Sequence, residues 1–187
     1  MVERISALDG LEMPLHFGPD LTLFERRVGS IWQITAWHGQ VAEAGAVAAA
    51  ACGVAEAPAA LSALTGAQGD LLRIDPLRWL WVSETPQPMP GTDGAGTVLD
   101  LSHARTVIRV EGAAMPDLMA RMVPLDLRPA AFGPGQVATS GIHHVAVMLQ
   151  GQAGQGQVGA VDLFCFRSFG RAIWEHLAES AAQFAVA

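Results

Sequence analysis

Lysine and tyrosine are absent from the 187-residue chain, and charge of either sign is scarce: Asp, Glu, Lys and Arg together make 16%, against roughly 25% in an average soluble domain. Without Lys there is no P-loop, whose Lys reaches the phosphates, and no Schiff base of the pyridoxal or aldolase kind. All 11 positive charges are Arg, and with 18 acidic residues the formal net charge is −7. Such a chain has no basic stripe for nucleic acid. No run reaches 18 apolar residues, and Met1-Val2-Glu3-Arg4 lacks the apolar core of a signal peptide. A soluble, cytoplasmic protein with no membrane partner is expected. Cysteine is nearly missing too. Cys52 and Cys165 lie far apart with no second Cys near either, which leaves no zinc knuckle or redox pair and predicts two buried thiols in preference to a disulfide between them.

What is present is apolar and broken by turns. The hydrophobic share is 51%, much of it Ala, and the length suffices for a core without disulfides or metal. Residues 1–20 read as an irregular arm, punctuated by Gly10, Pro14, Gly18 and Pro19. Leu8, Leu11, Met13, Leu15 and Phe17 argue against a free tail, and a partner chain is expected to cover part of this arm. The remainder, 21–187, reads as one α+β domain of two half-units, 21–84 and 97–184, joined by a Pro/Gly linker over 85–96.

In the first half-unit, 21–36 reads as strand with a turn at Val28-Gly29-Ser30. Val41, Ala44, Ala48, Ala51 and Cys52 give a helix over 40–52 with a stripe of small side chains, and Gly53 ends it as a C′ glycine. Gly45 inside that helix costs about 1 kcal/mol relative to Ala, and close packing is the expected compensation. Strands follow at 70–75 and 78–83, with Trp79 and Trp81 on one face. In the second half-unit, strands are expected at 97–101 and 106–111. A helix starts near Met115, with Pro116 at a favoured first-turn position and Met115, Leu118, Met119 and Met122 as its stripe. Strands at 135–141 and 143–149, a Gly/Gln loop over 150–159 and a strand at 160–166 come next. A last helix, capped by Ser168, runs to about Phe184 and buries Ile173, Leu177 and Ala181, with Trp174 as a packing anchor. Strand–Gly–helix–strand–strand thus occurs twice, around 31–83 and 106–166, which suits mixed or antiparallel sheets and about three helices.

Chemistry is hard to find in these residues. His143 and His144 are adjacent, so on a strand their rings point to opposite faces. His16, His38, His103 and His176 have no partner at zinc-ligand spacing, and no metal site is expected. Ser102-His103 lacks the elbow and geometry of a hydrolase nucleophile. Gly91, Gly94 and Gly96 precede a strand, and Gly151, Gly154, Gly156 and Gly159 separate two strands, whereas a dinucleotide loop opens a helix after a strand. Asp126 and Asp162 look isolated, with no second carboxylate for paired acid/base work. No catalytic, cofactor-binding or metal-binding residue is assigned.

Three motifs, in order, carry a resemblance. Asp100-Leu101-Ser102-His103-Ala104-Arg105-Thr106-Val107-Ile108-Arg109-Val110-Glu111-Gly112, Pro124-Leu125-Asp126-Leu127-Arg128-Pro129-Ala130-Ala131-Phe132-Gly133-Pro134-Gly135 and Arg167-Ser168-Phe169-Gly170-Arg171-Ala172-Ile173-Trp174 resemble the gamma subunits of heterotetrameric sarcosine oxidases. The likeness covers residues 97–182 well and the first half mainly in layout. It implies a fold similar to the folate-binding domain of the glycine-cleavage aminomethyltransferases. It also implies alpha and beta subunits as partners, alpha most directly, with FAD, FMN, NAD and tetrahydrofolate held in those partners and none in this chain. The implied role is non-catalytic support of sarcosine oxidation. Where those transferases keep an acidic residue after the Gly-Gln…Thr strand, this chain has Ile142-His143-His144. The runner-up is a stand-alone folate-binding or folate-dependent aminomethyltransferase-like protein. A homo-oligomeric structural protein is the third reading, and the isolated chain leaves room for a homo-oligomer.

Overall fold

The fold is taken from a computed structural model that describes residues 5–154 and 159–186. The first four residues of the arm and residues 155–158 of the Gly/Gln loop lie outside the described residues. Eleven strands and three α-helices are found among the described residues: β1 (Leu15–His16), β2 (Thr22–Glu25), β3 (Ser30–Ala36), α1 (Val41–Cys52), β4 (Ser62–Gly66), β5 (Gly69–Asp75), β6 (Arg78–Ser83), β7 (Gly96–Asp100), β8 (Arg105–Glu111), α2 (Met115–Met122), β9 (Val137–Ile142), β10 (Val145–Ala153), β11 (Gly159–Phe166) and α3 (Gly170–Ala181). They build two antiparallel sheets, ordered β1-β2-β8-β11-β10-β9 and β4-β5-β6-β3-β7.

The doubled pattern is a doubled topology. The run β3-α1-β4-β5-β6 pairs in the order β3-β6-β5-β4, and β8-α2-β9-β10-β11 pairs in the order β8-β11-β10-β9. In each, a strand leads through a helix into a meander whose last strand returns beside the first. The terminal sheet then gains β1 and β2, and the central sheet β7, each from the segment that leads into the other run. β2 precedes β3 but pairs with β8, and β7 precedes β8 but pairs with β3. Two compact units result, each discontinuous in sequence. The terminal unit comprises residues 1–26, 104–134 and 138–187, and the central unit 27–103 and 135–137. The Pro/Gly segment 85–96 lies inside the central unit.

In the central unit α1 buries Ala44, Gly45, Ala48, Ala49 and Cys52 in a core that includes Ile34, Leu71, Trp79 and Trp81. A Cβ on Gly45 would meet Ala57 Cβ at 3.2 Å and Trp79 Cζ2 at 3.3 Å, so glycine brings the helix down onto the indole, as its place in the stripe predicts. Gly53 ends α1 at φ 80°, its N–H reaching Ala49 O and Ala50 O, the left-handed cap that favours Gly.

The terminal unit is filled differently. Met115, Leu118, Met119 and Met122 of α2 and Ile173, Trp174, Leu177 and Ala181 of α3 are buried in one cluster with Ile108, Val110, Leu149, Val161 and Leu163. Leu8 is fully buried in the same cluster, with Leu11, Met13, Leu15 and Phe17 packed against it. The arm is therefore part of this unit's own core, although Ile5 at its start is exposed.

Other sequence expectations change in detail. β4 has no counterpart among the predicted strands, because Ser62-Ala63-Leu64-Thr65-Gly66 lacks a run of β-branched or aromatic residues. β10 runs on to Ala153, so less of 150–159 is loop. Ser168 does not cap α3: it sits within a 3-10 turn, Arg167–Phe169, and no side chain caps either element. His143 and His144 do not begin a strand. They form the two-residue turn between β9 and β10, at φ 44° and 69°, the left-handed backbone that a tight hairpin turn of the I′ kind requires.

Candidate functional site

The face of the terminal sheet opposite its helices carries a polar row. Gln150, Asp162 and Arg109 stand directly opposite one another on β10, β11 and β8, and the apolar Phe24 of β2 ends the row beside Arg109. Asp162 is fully buried. Arg109 donates to it twice, Nε to Oδ1 at 2.6 Å and Nη2 to Oδ2 at 2.8 Å. Arg26, just past β2, donates Nη1 to Oδ2 at 2.7 Å, and Gln152 Nε2 does so at 3.1 Å. A planar guanidinium facing a carboxylate with two parallel donors fixes orientation as well as charge. Asp162 is thus the hub of a network and not isolated. Its partner Arg26 lies 136 residues away, beyond any local pattern. Beside it, Gln150 Oε1 is buried with no hydrogen-bond partner among the described residues.

At the end of β11 the surface changes character. Phe166 lies opposite Arg105, whose guanidinium stacks 4.0 Å from the ring centroid, and burial holds that guanidinium below its ordinary pKa. Phe166 and Phe169 are both 44% exposed. Large aromatics beside Arg, left open to solvent, are the composition of a protein-recognition surface. In the central unit Trp37 and Leu99 are more than half exposed.

The remaining candidates resolve individually. Ser102 Oγ accepts the Ile31 N–H at 2.9 Å, and Asp100 Oδ1 accepts the Ser102 N–H at 2.8 Å. That hydroxyl tethers the end of β7 to β3. Cys52 and Cys165 are free and buried, and burial pushes each thiol up to about 11, which keeps both protonated and unreactive at neutral pH. Asp126 is exposed and pairs with Arg128, whose side-chain donors bring its carboxyl down to about 2. His143 and His176, which sequence spacing kept apart, meet at the surface with Nε2 atoms 2.8 Å apart. Among the described residues no group of three or more His, Cys, Asp or Glu converges on a metal position, and no helix is long and apolar enough to cross a membrane.

These features define a class: an α+β protein of two antiparallel sheets and three helices, made of a repeated strand–helix–meander. Its buried charge is structural, and its exposed aromatics suit recognition. Within that class the chain is similar to sarcosine oxidase subunit gamma. It is 39% identical over 57 residues to that of Corynebacterium sp. (strain P-1), a stretch covering 30% of this chain and 28% of the relative. To that of Corynebacterium sp. (strain U-96) it is 33% identical over 75 residues, 37% of each. The matched stretches span about a third of those relatives' length. In three dimensions it resembles a chain of the heterotetrameric sarcosine oxidase from Corynebacterium sp. U-96 in complex with pyrrole 2-carboxylate. The TM-score is 0.81 at 24% identity, over 98% of this chain and 97% of that one, a likeness of fold. No family model matches the chain.

Proposed function

We propose that this chain is the non-catalytic gamma subunit of a heterotetrameric sarcosine oxidase, in which alpha and beta subunits carry out the oxidative demethylation of sarcosine to glycine. The observation that carries the reading is the end-to-end fold match to a chain of such an enzyme, joined to local identity with two proteins named subunit gamma. In this reading the fold is that of the aminomethyltransferase folate-binding domain and the complex is cytoplasmic. Alpha is the most direct contact, and FAD, FMN, NAD and tetrahydrofolate belong to the partners.

Physical chemistry supports the division of labour. Removing a hydride or electrons from an N-methyl amine needs an acceptor that no ordinary side chain supplies, so a flavin must do it. Holding a dinucleotide calls for a glycine turn from strand into helix. Here Gly154, Gly156 and Gly159 have that spacing but lead into β11.

The purified chain is expected to be colourless, to release no peroxide from sarcosine and to show no saturable response to tetrahydrofolate. A visible flavin spectrum overturns the reading. Folate-dependent turnover that His144→Ala abolishes favours a stand-alone aminomethyltransferase instead.

A further inference from the structure

The geometry points to a second kind of site on this chain: a surface position for a divalent transition-metal ion, held by the imidazoles of His143 and His176. The two rings come from separate elements, the β9–β10 turn and the middle of α3, with centroids 4.3 Å apart and planes at 62°. Their Nε2 atoms face each other at 2.8 Å. At that separation one ring donates an N–H···N hydrogen bond to the other, and once the donor carries its proton on Nδ1 both Nε2 lone pairs are free to ligate one cation. Zinc–imidazole bonds of 2.0–2.1 Å at a tetrahedral angle place two ligand nitrogens roughly 3.3 Å apart. The rings need open by only about half an ångström to admit the ion.

Both ligands stand on anchored backbone. Ile142, directly before the turn, is buried, as are Ile173, Trp174 and Leu177 around His176. The turn also holds two non-glycine residues at positive φ, a conformation that persists where its surroundings compensate it. Among the described residues no third protein ligand converges, and His143 is exposed, so water completes the shell. Imidazole donors in such an open site suit Zn²⁺, Ni²⁺ or Cu²⁺. A bound ion ties the hairpin tip to α3 across 33 residues and stabilises the terminal unit by mass action. The inference does not depend on the subunit reading.

The test is a calorimetric titration of ZnCl₂ into the chelator-stripped full chain, with melting temperature followed in parallel. One saturable event is expected, with a rise of a few degrees at saturation. His143→Ala and His176→Ala should each weaken binding roughly tenfold or more and remove the rise, while His38→Ala, in the central unit, keeps both. His143→Asn, whose side chain tolerates the left-handed turn, repeats the loss if His143→Ala does not fold. Absence of saturable uptake, or undiminished uptake in any variant lacking one of the two imidazoles, overturns the site.

Discussion

Where α2 of the terminal unit lays Met115, Leu118, Met119 and Met122 against its sheet, α1 of the central unit lays Ala44, Ala48, Ala49 and Cys52 against Trp79 and Trp81. The topology is the same in both, yet bulk comes from the helix in one and from the sheet in the other. A long flexible stripe fills an irregular gap, whereas a stripe of methyl groups demands a large rigid partner at close range. The two units should therefore answer differently to the same kind of change.

The largest effect is expected where bulk has no substitute. Trp79→Ala should destabilise the chain by about 3–5 kcal/mol in denaturant titration, because the Ala-lined helix cannot refill the void. A loss near that of an exposed residue would show the small-residue stripe to be incidental. Comparable in size, Asp162→Asn should cost about 3–5 kcal/mol, since it removes the buried carboxylate on which Arg26 and Arg109 converge. The helices themselves offer the sharper contrast. Ala48→Leu in α1 should cost about 1–3 kcal/mol through overpacking, while the volume-conserving Met119→Leu in α2 should cost less than about 1.5 kcal/mol. The reverse order would erase the distinction between the units.

Smaller effects come from ionisation. Each thiol stays protonated to about 11 in the folded chain against an ordinary 9.0. Unfolded chain therefore ionises first, and the thiols' contribution to stability should be constant below about pH 9 and fall as pH climbs towards 11. Cys165→Ala and Cys52→Ala should flatten that decline. Least of all, the Asp126–Arg128 pair contributes fully above the ordinary carboxyl value of 3.8, and that contribution is lost as pH falls through about 2. At neutral pH, Asp126→Asn should barely move the melting temperature, as for most exposed pairs.

Local chemistry announced much of this fold. The small stripe of α1 with Gly53 behind it, Pro116 opening α2 and the tryptophans alternating along β6 are all local signals, and the doubled strand–helix–meander follows from them. What stayed hidden depends on distance along the chain. The departure of β2 to β8 and of β7 to β3, the gathering of Arg26 and Arg109 on Asp162, and the meeting of His143 with His176 leave no trace in periodicity. The turn at His143-His144 was hidden for another reason: I′ turns favour Asn-Gly, and nothing in a His-His pair signals a reversal. The Phe166–Arg105 stack could have been found from the alternation of β11, since Phe166 falls at the strand's end beyond its buried partners.

The most direct test of the subunit account is co-expression of this chain, affinity-tagged, with alpha and beta sarcosine oxidase chains, followed by tag purification and a sarcosine-dependent peroxide assay. The account predicts a yellow complex containing all three chains that oxidises sarcosine, and weaker recovery of partners when Phe166 and Phe169 are both changed to Ser. A colourless chain eluting alone, beside alpha and beta chains that assemble and turn over sarcosine without it, would contradict it.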